Sequence, residues 1–157
     1  MTRYDGDLTA PTGRFALVAA RFNAFIVEHL VGGAIDGLQR HGVSPDAIDL
    51  VHVPGSLELP LVVDRLARSG RYVAVLALGA VIRGETDHYD VVVRESAKGL
   101  MGTALATGVP VVNAVLTVDT VEQAVNRAGA KQGNKGFEAA GVAIEMANLL
   151  AKLPPAR

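Results

Sequence analysis

The sequence predicts an α/β fold, a three-layer α/β/α sandwich in which a central parallel sheet lies between two helical layers. Apolar runs with the length of buried strands alternate four times with segments of helical spacing. Such alternation is typical of parallel sheets with right-handed crossovers. Polar residues gather where the predicted strands end, at 21–23, 54–58, 79–88 and 113–114. Open parallel sheets bind ligands at that edge.

The first predicted strand–helix unit begins with strand one at residues 14–20, where Arg14 is followed by an apolar run. Asn23 follows it and is the predicted N-cap of a helix that ends near His41 and Gly42, because asparagine is a preferred N-cap residue and glycine favours a helix end. The side chains that this helix is expected to turn towards the core are those of Ile26, Leu30, Ile35 and Leu38.

The second unit places strand two at residues 50–53. A Pro-Gly pair then turns the chain, and Ser56 is the predicted cap of a helix that ends at residues 69–70. Pro60 is tolerated in that helix because it lies near the first turn, where the backbone N–H groups have no helical partner.

The second half of the chain continues the alternation, and its last helix is predicted over residues 137–152. Thr120 and Gln123 have the spacing of a capping box, which predicts a short helix after the fourth strand. The remaining elements are predicted as strand three at 72–78, a helix over 86–106 and strand four at 110–116.

Composition narrows the class of protein. The chain has 157 residues, of which 50% are hydrophobic and 20% charged, so we expect one domain that buries part of its apolar surface against other subunits. The absence of cysteine excludes disulfides, thiolate nucleophiles and cysteine-ligated zinc. A net charge of −1 gives no electrostatic footprint for nucleic acid.

The same composition predicts a cytoplasmic location. No apolar run is long enough to cross a bilayer, and residues 1–13 are polar without the apolar core of a signal peptide. We therefore expect no membrane partner. The expected partners are small molecules and further copies of the chain.

The strongest functional signal is the segment 78–90, where strand three runs into a helix. The free N–H groups at a helix start favour an anion, and histidine titrates near neutral pH. His88 alone is more often a solvent-facing residue, and Thr86 has the ordinary role of an N-cap. Their position at the carboxyl end of a strand nevertheless favours a phosphate site with an adjacent acid–base group.

Four other residues have an ordinary and a functional interpretation. Phe22 is either a core residue or an aromatic platform for a flat ring. Glu58 either complements a helix dipole or accepts hydrogen bonds from a polyhydroxyl chain. Arg127 and Lys135 are solvated charges, unless their segment approaches a helix start like that of residues 86–88, in the same subunit or in a neighbour.

Five sequence segments carry a resemblance to a known family. They follow one another in order between residues 14 and 150, so they cover essentially the whole domain. Together they resemble the lumazine synthase (6,7-dimethyl-8-ribityllumazine synthase) family. The segments that carry the resemblance are Arg21-Phe22-Asn23, the Val-Pro-Gly-Ser-Leu-Glu-Leu-Pro run at 53–60, and the stretches at 79–90, 116–124 and 127–136.

The resemblance implies a flavodoxin-like fold and a transferase of riboflavin biosynthesis that needs no metal and no cofactor. The implied reaction condenses 5-amino-6-(D-ribitylamino)uracil with 3,4-dihydroxy-2-butanone 4-phosphate, and it releases phosphate and water. A flavodoxin-like electron carrier is disfavoured because Arg21-Phe22-Asn23 replaces the Ser/Thr/Gly-rich phosphate loop that it requires after strand one. A non-catalytic flavin-binding or shell-forming protein on the same fold is the alternative.

The resemblance also implies roles for individual residues. His88 is the implied proton donor and acceptor, Phe22 stacks on the pyrimidinedione ring, and Arg127 reaches the phosphate from an adjacent subunit. Asn113 departs from the family, in which an aromatic residue is common, and its amide is expected to hydrogen-bond the pyrimidine edge instead. The other implied contacts are Ser56, Leu57 and Glu58 along the ribityl chain, Ala80, Val81 and Ile82 at the heterocycle, Glu85 and Thr86 at the phosphate, and Lys135 as an auxiliary cation.

A pentamer is the assembly that the resemblance implies. Residues 1–13 are expected to be an N-terminal segment that adds a strand to the neighbouring sheet, residues 14–153 the single domain, and residues 154–157 a tail. Strand addition protects an exposed sheet edge. The compact Gly-Asn-Lys-Gly turn at 133–136 resembles members that close into an icosahedral 60-mer, so we expect a shell, with the free pentamer as the alternative.

Overall fold

The computed structural model describes residues 1–156 and confirms the predicted α/β sandwich around a parallel sheet. The sheet has four strands in the order β2-β1-β3-β4, and every neighbouring pair is parallel. Its strands are β1 (Arg14–Ala20), β2 (Ile48–Val53), β3 (Tyr72–Ile82) and β4 (Val111–Val118).

Helices cover both faces of this sheet, and no helix in the described chain is long and apolar enough to cross a membrane. They are α1 (Ala24–Arg40), α2 (Leu59–Ala67), α3 (His88–Thr107), α4 (Val121–Arg127) and α5 (Lys135–Lys152). Short 3₁₀ turns at Pro45–Ala47 and Ser56–Glu58 and a small antiparallel pair, β5 (Ala128–Ala130) and β6 (Gly133–Asn134), complete the chain.

Side-chain alternation along the central strands builds two separate cores. Phe15 and Leu17 of β1 pack with α1 and α5, whereas Ala16 and Val18 pack with α2 and α3. Both central strands therefore read as continuous apolar runs, as strands buried on both faces do. α1 and α5 approach each other so closely at Gly136 that a side chain there would collide with the backbone of α1.

Three strands extend beyond their predicted bounds, because pairing with a neighbouring strand continues past the local apolar pattern. One of them is β4, which ends at Val118 and not at residue 116. β2 begins at Ile48 because it pairs with β1 from that residue, which lies opposite Phe15. β3 continues to Ile82, four residues past the predicted end at Leu78, because β4 pairs with it throughout this length. The Arg83 N–H then donates to the Val118 carbonyl at 2.9 Å and closes the ladder.

The starts of α5 and α4 also differ from the prediction, α5 in its first residue and α4 in one hydrogen bond. α5 begins at Lys135, before the predicted residue 137. The reason is that the Asn134 side chain accepts hydrogen bonds from the Gly136 N–H at 2.8 Å and the Phe137 N–H at 3.1 Å. At α4, the Thr120 hydroxyl caps the Gln123 N–H at 3.1 Å as predicted. The Gln123 side chain, however, accepts from the Asp119 N–H at 2.8 Å and not from Thr120.

The N-terminal segment, residues 1–13, forms no strand within this chain. It lies along the last turns of α5, where the Asn148 amide donates to the Asp7 and Thr9 carbonyls and the Lys152 ammonium pairs with the Asp7 carboxylate at 2.9 Å. Strand addition to a neighbour remains a prediction. Of the predicted C-terminal tail, residues 154–156 are neither helix nor strand, and Arg157 lies outside the described residues.

A polar network ties three strands together at the amino end of the sheet. The Asp49 carboxylate of β2 accepts from the Arg14 guanidinium of β1 at 2.5 Å and from the Tyr72 hydroxyl of β3 at 2.7 Å. These bonds, from Arg14 first and then Tyr72, hold the pKa of the Asp49 carboxyl below its ordinary value. Burial, reinforced by the bond to Asp49, raises the pKa of the Tyr72 phenol.

The network predicts a specific acid dependence of stability. Because the folded chain lowers the pKa of Asp49 from 3.8, its charged form stabilises the fold above that pH, and this contribution disappears as the pH falls through the folded-state pKa. Asp49→Asn should therefore lower the free energy of unfolding at pH 7, with the difference from wild type shrinking below about pH 4. Urea unfolding at one protein concentration, from pH 7 to pH 3, measures it.

Asp36→Asn is the matched control, because Asp36 pairs with Arg40 on the exposed face of α1 and such pairs contribute little. A stability difference between wild type and Asp49→Asn that stays the same at every pH would contradict the role of the charged form.

Candidate active site

A cleft of about 500 Å³ opens at the carboxyl edge of the sheet, between the ends of β1 and β3 and the start of α3. Most of the predicted site residues line it. They are Phe22, Ser56, Leu57, Glu58, Ala80, Val81, Ile82, Thr86 and His88, joined by residues that the sequence analysis did not assign to a ligand, among them Asn23, Tyr89 and Val92. We call it the first cleft.

Phe22 forms one wall of the first cleft. Its side chain is 73% exposed, which excludes the interpretation as a core residue. The backbone beneath it is held to the turn after β2, because the Arg21 N–H donates to the Val53 carbonyl at 2.8 Å and the Phe22 N–H to the Pro54 carbonyl at 3.1 Å. An exposed aromatic face on a fixed backbone is suited to stacking on a flat ring.

Asn23 occupies the predicted N-cap position of α1, but its side chain does not cap the helix. The backbone is in the left-handed region, at φ 61° and ψ 40°, and the side-chain amide donates to the Ala80 carbonyl at 2.8 Å. The Ile26 and Val27 N–H groups bind the Asn23 backbone carbonyl instead. The predicted side-chain cap is therefore wrong, because the amide is used to join the ends of β1 and β3.

Ser56 is likewise not the N-cap of a helix. It begins the 3₁₀ turn Ser56–Glu58, which separates the turn after β2 from α2, and α2 starts at Leu59. The Ser56 side chain is only 7% exposed and faces Gly79 of β3, where an added Cβ would lie 2.7 Å from the hydroxyl oxygen. Leu57 and Glu58 remain exposed along the cleft.

The last residues of β3 form the floor of the first cleft as strand rather than as the predicted loop. β1 pairs with β3 only as far as Leu78, so the later residues have a strand neighbour on one side alone. The N–H groups of Val75 and Arg83 point to β4, and backbone groups alternate along a strand. Ile82 therefore turns its N–H and C=O towards the cleft, whereas those of Val81 point to β4.

The turn at residues 83–87 is fixed where it begins. The Arg83 guanidinium lies 4.3 Å above the centre of the Tyr89 ring and binds the Asp119 carboxylate at 2.9 Å. Asp90 is a second, more distant partner at 3.8 Å. Beyond this anchor the turn is exposed, and Glu85 lies on it without contributing to the wall of the cleft.

His88 is the first residue of α3, which begins two residues later than predicted. Its N–H lies 3.4 Å from the Thr86 hydroxyl, and its exposed imidazole faces the first cleft. Thr86 thus contacts the helix start from one residue before the structural N-cap, Asp87, whose own side chain makes no cap bond. A helix start with an imidazole beside it is an arrangement suited to binding an anion and to transferring protons.

The first cleft can accommodate a flat polar ring at one end and an anion at the other. The ring end has the Phe22 face and the backbone of Ile82, and the anion end has Thr86 and His88 at the start of α3. Within residues 1–156, no three His, Asp or Glu side chains are grouped so as to hold a metal ion.

The remaining predicted residues lie elsewhere on the chain. Asn113, Arg127 and Lys135 line a second cleft of about 430 Å³ beside β4, which shares no lining residue with the first. The Asn113 side-chain oxygen accepts from the Val115 N–H at 3.0 Å. Lys135 lies 4.0 Å from the Glu138 carboxylate. Arg127 and His88 therefore line different clefts of one chain.

Comparison with known protein families identifies the family to which this chain is similar. The model of the family described as 6,7-dimethyl-8-ribityllumazine synthase matches residues 12–151 of the 157-residue chain. The matched region contains the whole sheet, both clefts and nearly all of α5. The match confirms the resemblance that the loop motifs indicated.

The contact between Ser56 and Gly79 predicts the effect of a single methyl group. Gly79→Ala places a Cβ against the buried hydroxyl and should destabilise the protein by about 1–3 kcal/mol, as overpacking does. Gly84→Ala is the control, since nothing lies within 4 Å of its added Cβ, and should change stability by no more than about 0.5 kcal/mol. Thermal and urea unfolding measure both.

Adding Ser56→Ala to Gly79→Ala removes the colliding oxygen and should restore most of the lost stability. The contact is unimportant if Gly79→Ala is as stable as wild type, or if the double variant is no more stable than the single one.

Proposed function

Because the chain belongs to the lumazine synthase family, whose members are transferase-type enzymes of riboflavin biosynthesis, we propose that it forms 6,7-dimethyl-8-ribityllumazine. The substrates are 5-amino-6-(D-ribitylamino)uracil and 3,4-dihydroxy-2-butanone 4-phosphate, and the other products are phosphate and two waters. One observation carries the proposal. The first cleft combines an aromatic wall, a free strand backbone and a histidine at a helix start, which match a flat heterocycle, its polar edge and a phosphorylated reactant.

The uracil substrate occupies the ring end of the first cleft. Its pyrimidinedione stacks on Phe22, and its polar edge meets the backbone of residues 80–82, where Ile82 has the outward N–H and C=O. The ribityl chain runs along Ser56, Leu57 and Glu58, whose carboxylate accepts hydrogen bonds from hydroxyl groups. These contacts fix the nucleophilic amine without reacting with it.

The phosphorylated ketone occupies the anion end. Its phosphate binds at the start of α3, where the Glu85 backbone and the Thr86 hydroxyl donate hydrogen bonds and the helix dipole favours negative charge. Arg127 supplies a fixed positive charge and Lys135 an auxiliary one, both from the second cleft of a neighbouring subunit. The Asn113 amide N–H₂ group, which lies in the same second cleft of the neighbouring subunit, binds the pyrimidine edge, because its side-chain oxygen is already used by the Val115 N–H.

The reaction needs proton transfers at each step and no change of oxidation state. The amine attacks the ketone and loses water to give an imine, phosphate is eliminated, and ring closure with loss of a second water completes the lumazine. His88 donates and accepts these protons. Holding the two reactants together provides the larger part of the rate enhancement, since effective molarities of oriented groups reach about 10⁵ M or more.

The proposed assembly is a ring of five subunits in which the second cleft of one subunit completes the first cleft of the next. The exposed apolar side chains support subunit contact, since Leu61 of α2 and Met101 and Leu105 of α3 are 78%, 63% and 80% exposed. The N-terminal segment would add a strand to the neighbouring sheet, and the compact turn at 133–136 favours closure of pentamers into a 60-mer shell.

Substitution of His88 tests the proposed chemistry. Wild type mixed with both substrates should produce the lumazine chromophore, and His88→Ala should lower kcat by about 10²–10⁴-fold without abolishing it, because substrate positioning survives. His29→Ala is the control, since His29 lines neither cleft. Stopped-flow absorbance under single-turnover conditions measures the step directly.

Unchanged single-turnover rates in His88→Ala would remove the acid–base assignment. A wild-type protein that binds a flavin but makes no chromophore would overturn the proposed reaction and favour the non-catalytic alternative.

Complementation tests the shared site. In mixed oligomers of His88→Ala and Arg127→Ala subunits, some interfaces pair an intact His88 with an intact Arg127. Co-expression in equal amounts should therefore restore activity at about a quarter of the sites, well above either parent. Light scattering gives the mass of the mixed oligomer, which should be a pentamer or a multiple of pentamers.

Mixed oligomers that are no more active than the two parents would contradict a site shared between subunits. A monomeric wild type would contradict it independently of any activity measurement.

A further inference from the structure

We propose that Asn23 is a positioning residue that sets the gap between the Phe22 ring and the backbone of residues 80–82, and so controls binding of the uracil substrate. The inference rests on the proposed function for the identity of that substrate. The interaction itself is present in the structure as a hydrogen bond from the Asn23 side chain to the Ala80 carbonyl, which joins the ends of β1 and β3 and which we call the tie.

The backbone at Asn23 is unusual. Among residues 1–156, Asn23 is the only residue other than glycine with a positive φ, at 61°. Asparagine enters this left-handed region more readily than other residues with a side chain, so the conformation is accessible but not free. It turns the chain sharply between Phe22 and α1, which leaves the Phe22 ring outside the core and directs the Asn23 amide towards β3.

Three hydrogen bonds hold the backbone of this turn to the rest of the first cleft. Two of them, from the Arg21 and Phe22 N–H groups, reach Val53 and Pro54 on the β2 side. The third is the 2.8 Å bond from the Asn23 amide to the Ala80 carbonyl, and it alone reaches the β3 side. Loss of this bond leaves Phe22 tied to one wall of the cleft and unconstrained towards the other.

The tie also determines which backbone groups of β3 are left free to form hydrogen bonds with a ligand. The Ala80 carbonyl faces the side of β3 where β1 has already ended, and Asn23 satisfies it. Without the amide, this carbonyl becomes a free acceptor in the floor of the cleft, beside the outward groups of Ile82. A ligand edge arranged for the groups of Ile82 then meets an extra acceptor and a movable aromatic wall.

The affected end of the cleft is the ring end alone. Thr86 and His88 are positioned by the start of α3 and by the Arg83 anchor, neither of which contacts Asn23. Weakening of the tie should therefore raise the KM for the uracil by about three- to ten-fold, the range expected for one net hydrogen bond, and leave the KM for the phosphorylated ketone unchanged.

Two variants remove the tie while they keep the backbone conformation accessible. Asn23→Gly enters the left-handed region without steric strain, and Asn23→Asp has the same shape but a carboxylate that cannot donate to Ala80. Ala24→Gly is the matched control, because it loosens the first residue of α1 and leaves the tie intact. All three are assayed for KM towards each substrate, kcat and thermal stability.

A fluorescent probe reports on the wall without any turnover. The chain contains no tryptophan, so Phe22→Trp introduces a single tryptophan at the ring wall, which is excited at wavelengths beyond the absorption of the three tyrosines. In the ligand-free protein, the anisotropy of Trp emission should fall when Asn23→Gly or Asn23→Asp is added to Phe22→Trp, and stay constant when Ala24→Gly is added. Titration with 5-amino-6-(D-ribitylamino)uracil gives its Kd from the quenching.

Unchanged anisotropy in the Asn23 variants would overturn the positioning role, even if the KM for the uracil rose, because that combination means direct contact with the substrate. An equal rise in both KM values would overturn it as well, because it means a general loss of structure. Failure of the proposed function is seen separately, as a wild type that forms no chromophore, and the ligand-free anisotropy still decides the tie.

Discussion

β3 extends beyond the end of β1, and its last residues pair with β4 alone. The first cleft results from this difference in length. Pairing with β1 stops at Leu78, whereas pairing with β4 continues to Val118, opposite Ile82. One side of the strand is thus open at its carboxyl end, with backbone groups that a ligand can use. The turns after β1 and β2 and the start of α3 surround this open side, so the walls of the cleft are set by the stagger of the strand ends.

The stagger requires a rigid base, which the two cores provide. β1 and β3 are buried on both faces, and the network of Arg14, Asp49 and Tyr72 joins β1, β2 and β3 at the opposite end of the sheet. The groups proposed to bind substrate then lie on strand ends, on a one-turn 3₁₀ segment and on a helix start. Groups on such elements are held more tightly than groups on long loops. The small residue Gly79 allows the Ser56 turn to pack directly against β3.

Local patterns predicted most of this arrangement, and long-range pairing explains the errors. β1 has the predicted bounds because its apolar run is bounded by polar residues on both sides. The end of β3 was missed because its small residues resemble a loop until β4 is placed beside them. Ser56 and Asn23 carry cap-forming side chains, but each uses its polar group across the sheet. Arg127 lies in the second cleft because α4 packs beside β4. Local sequence patterns do not predict this packing.

Charge separates the two clefts and supports the proposal that they function as a pair. No lysine or arginine lines the first cleft, and Arg83, the basic residue on the adjoining turn, already stacks on Tyr89 and pairs with Asp119. A phosphate at the start of α3 would thus have helix N–H groups and a hydroxyl but no free cation from the surrounding wall. Arg127 and Lys135 lie in the second cleft with few neutralising groups, Glu138 being the one acidic residue in its lining. A helix start without a cation in its cleft and a second cleft with two cations and one carboxylate have complementary charge, and a ring of identical subunits brings such surfaces together without any further sequence.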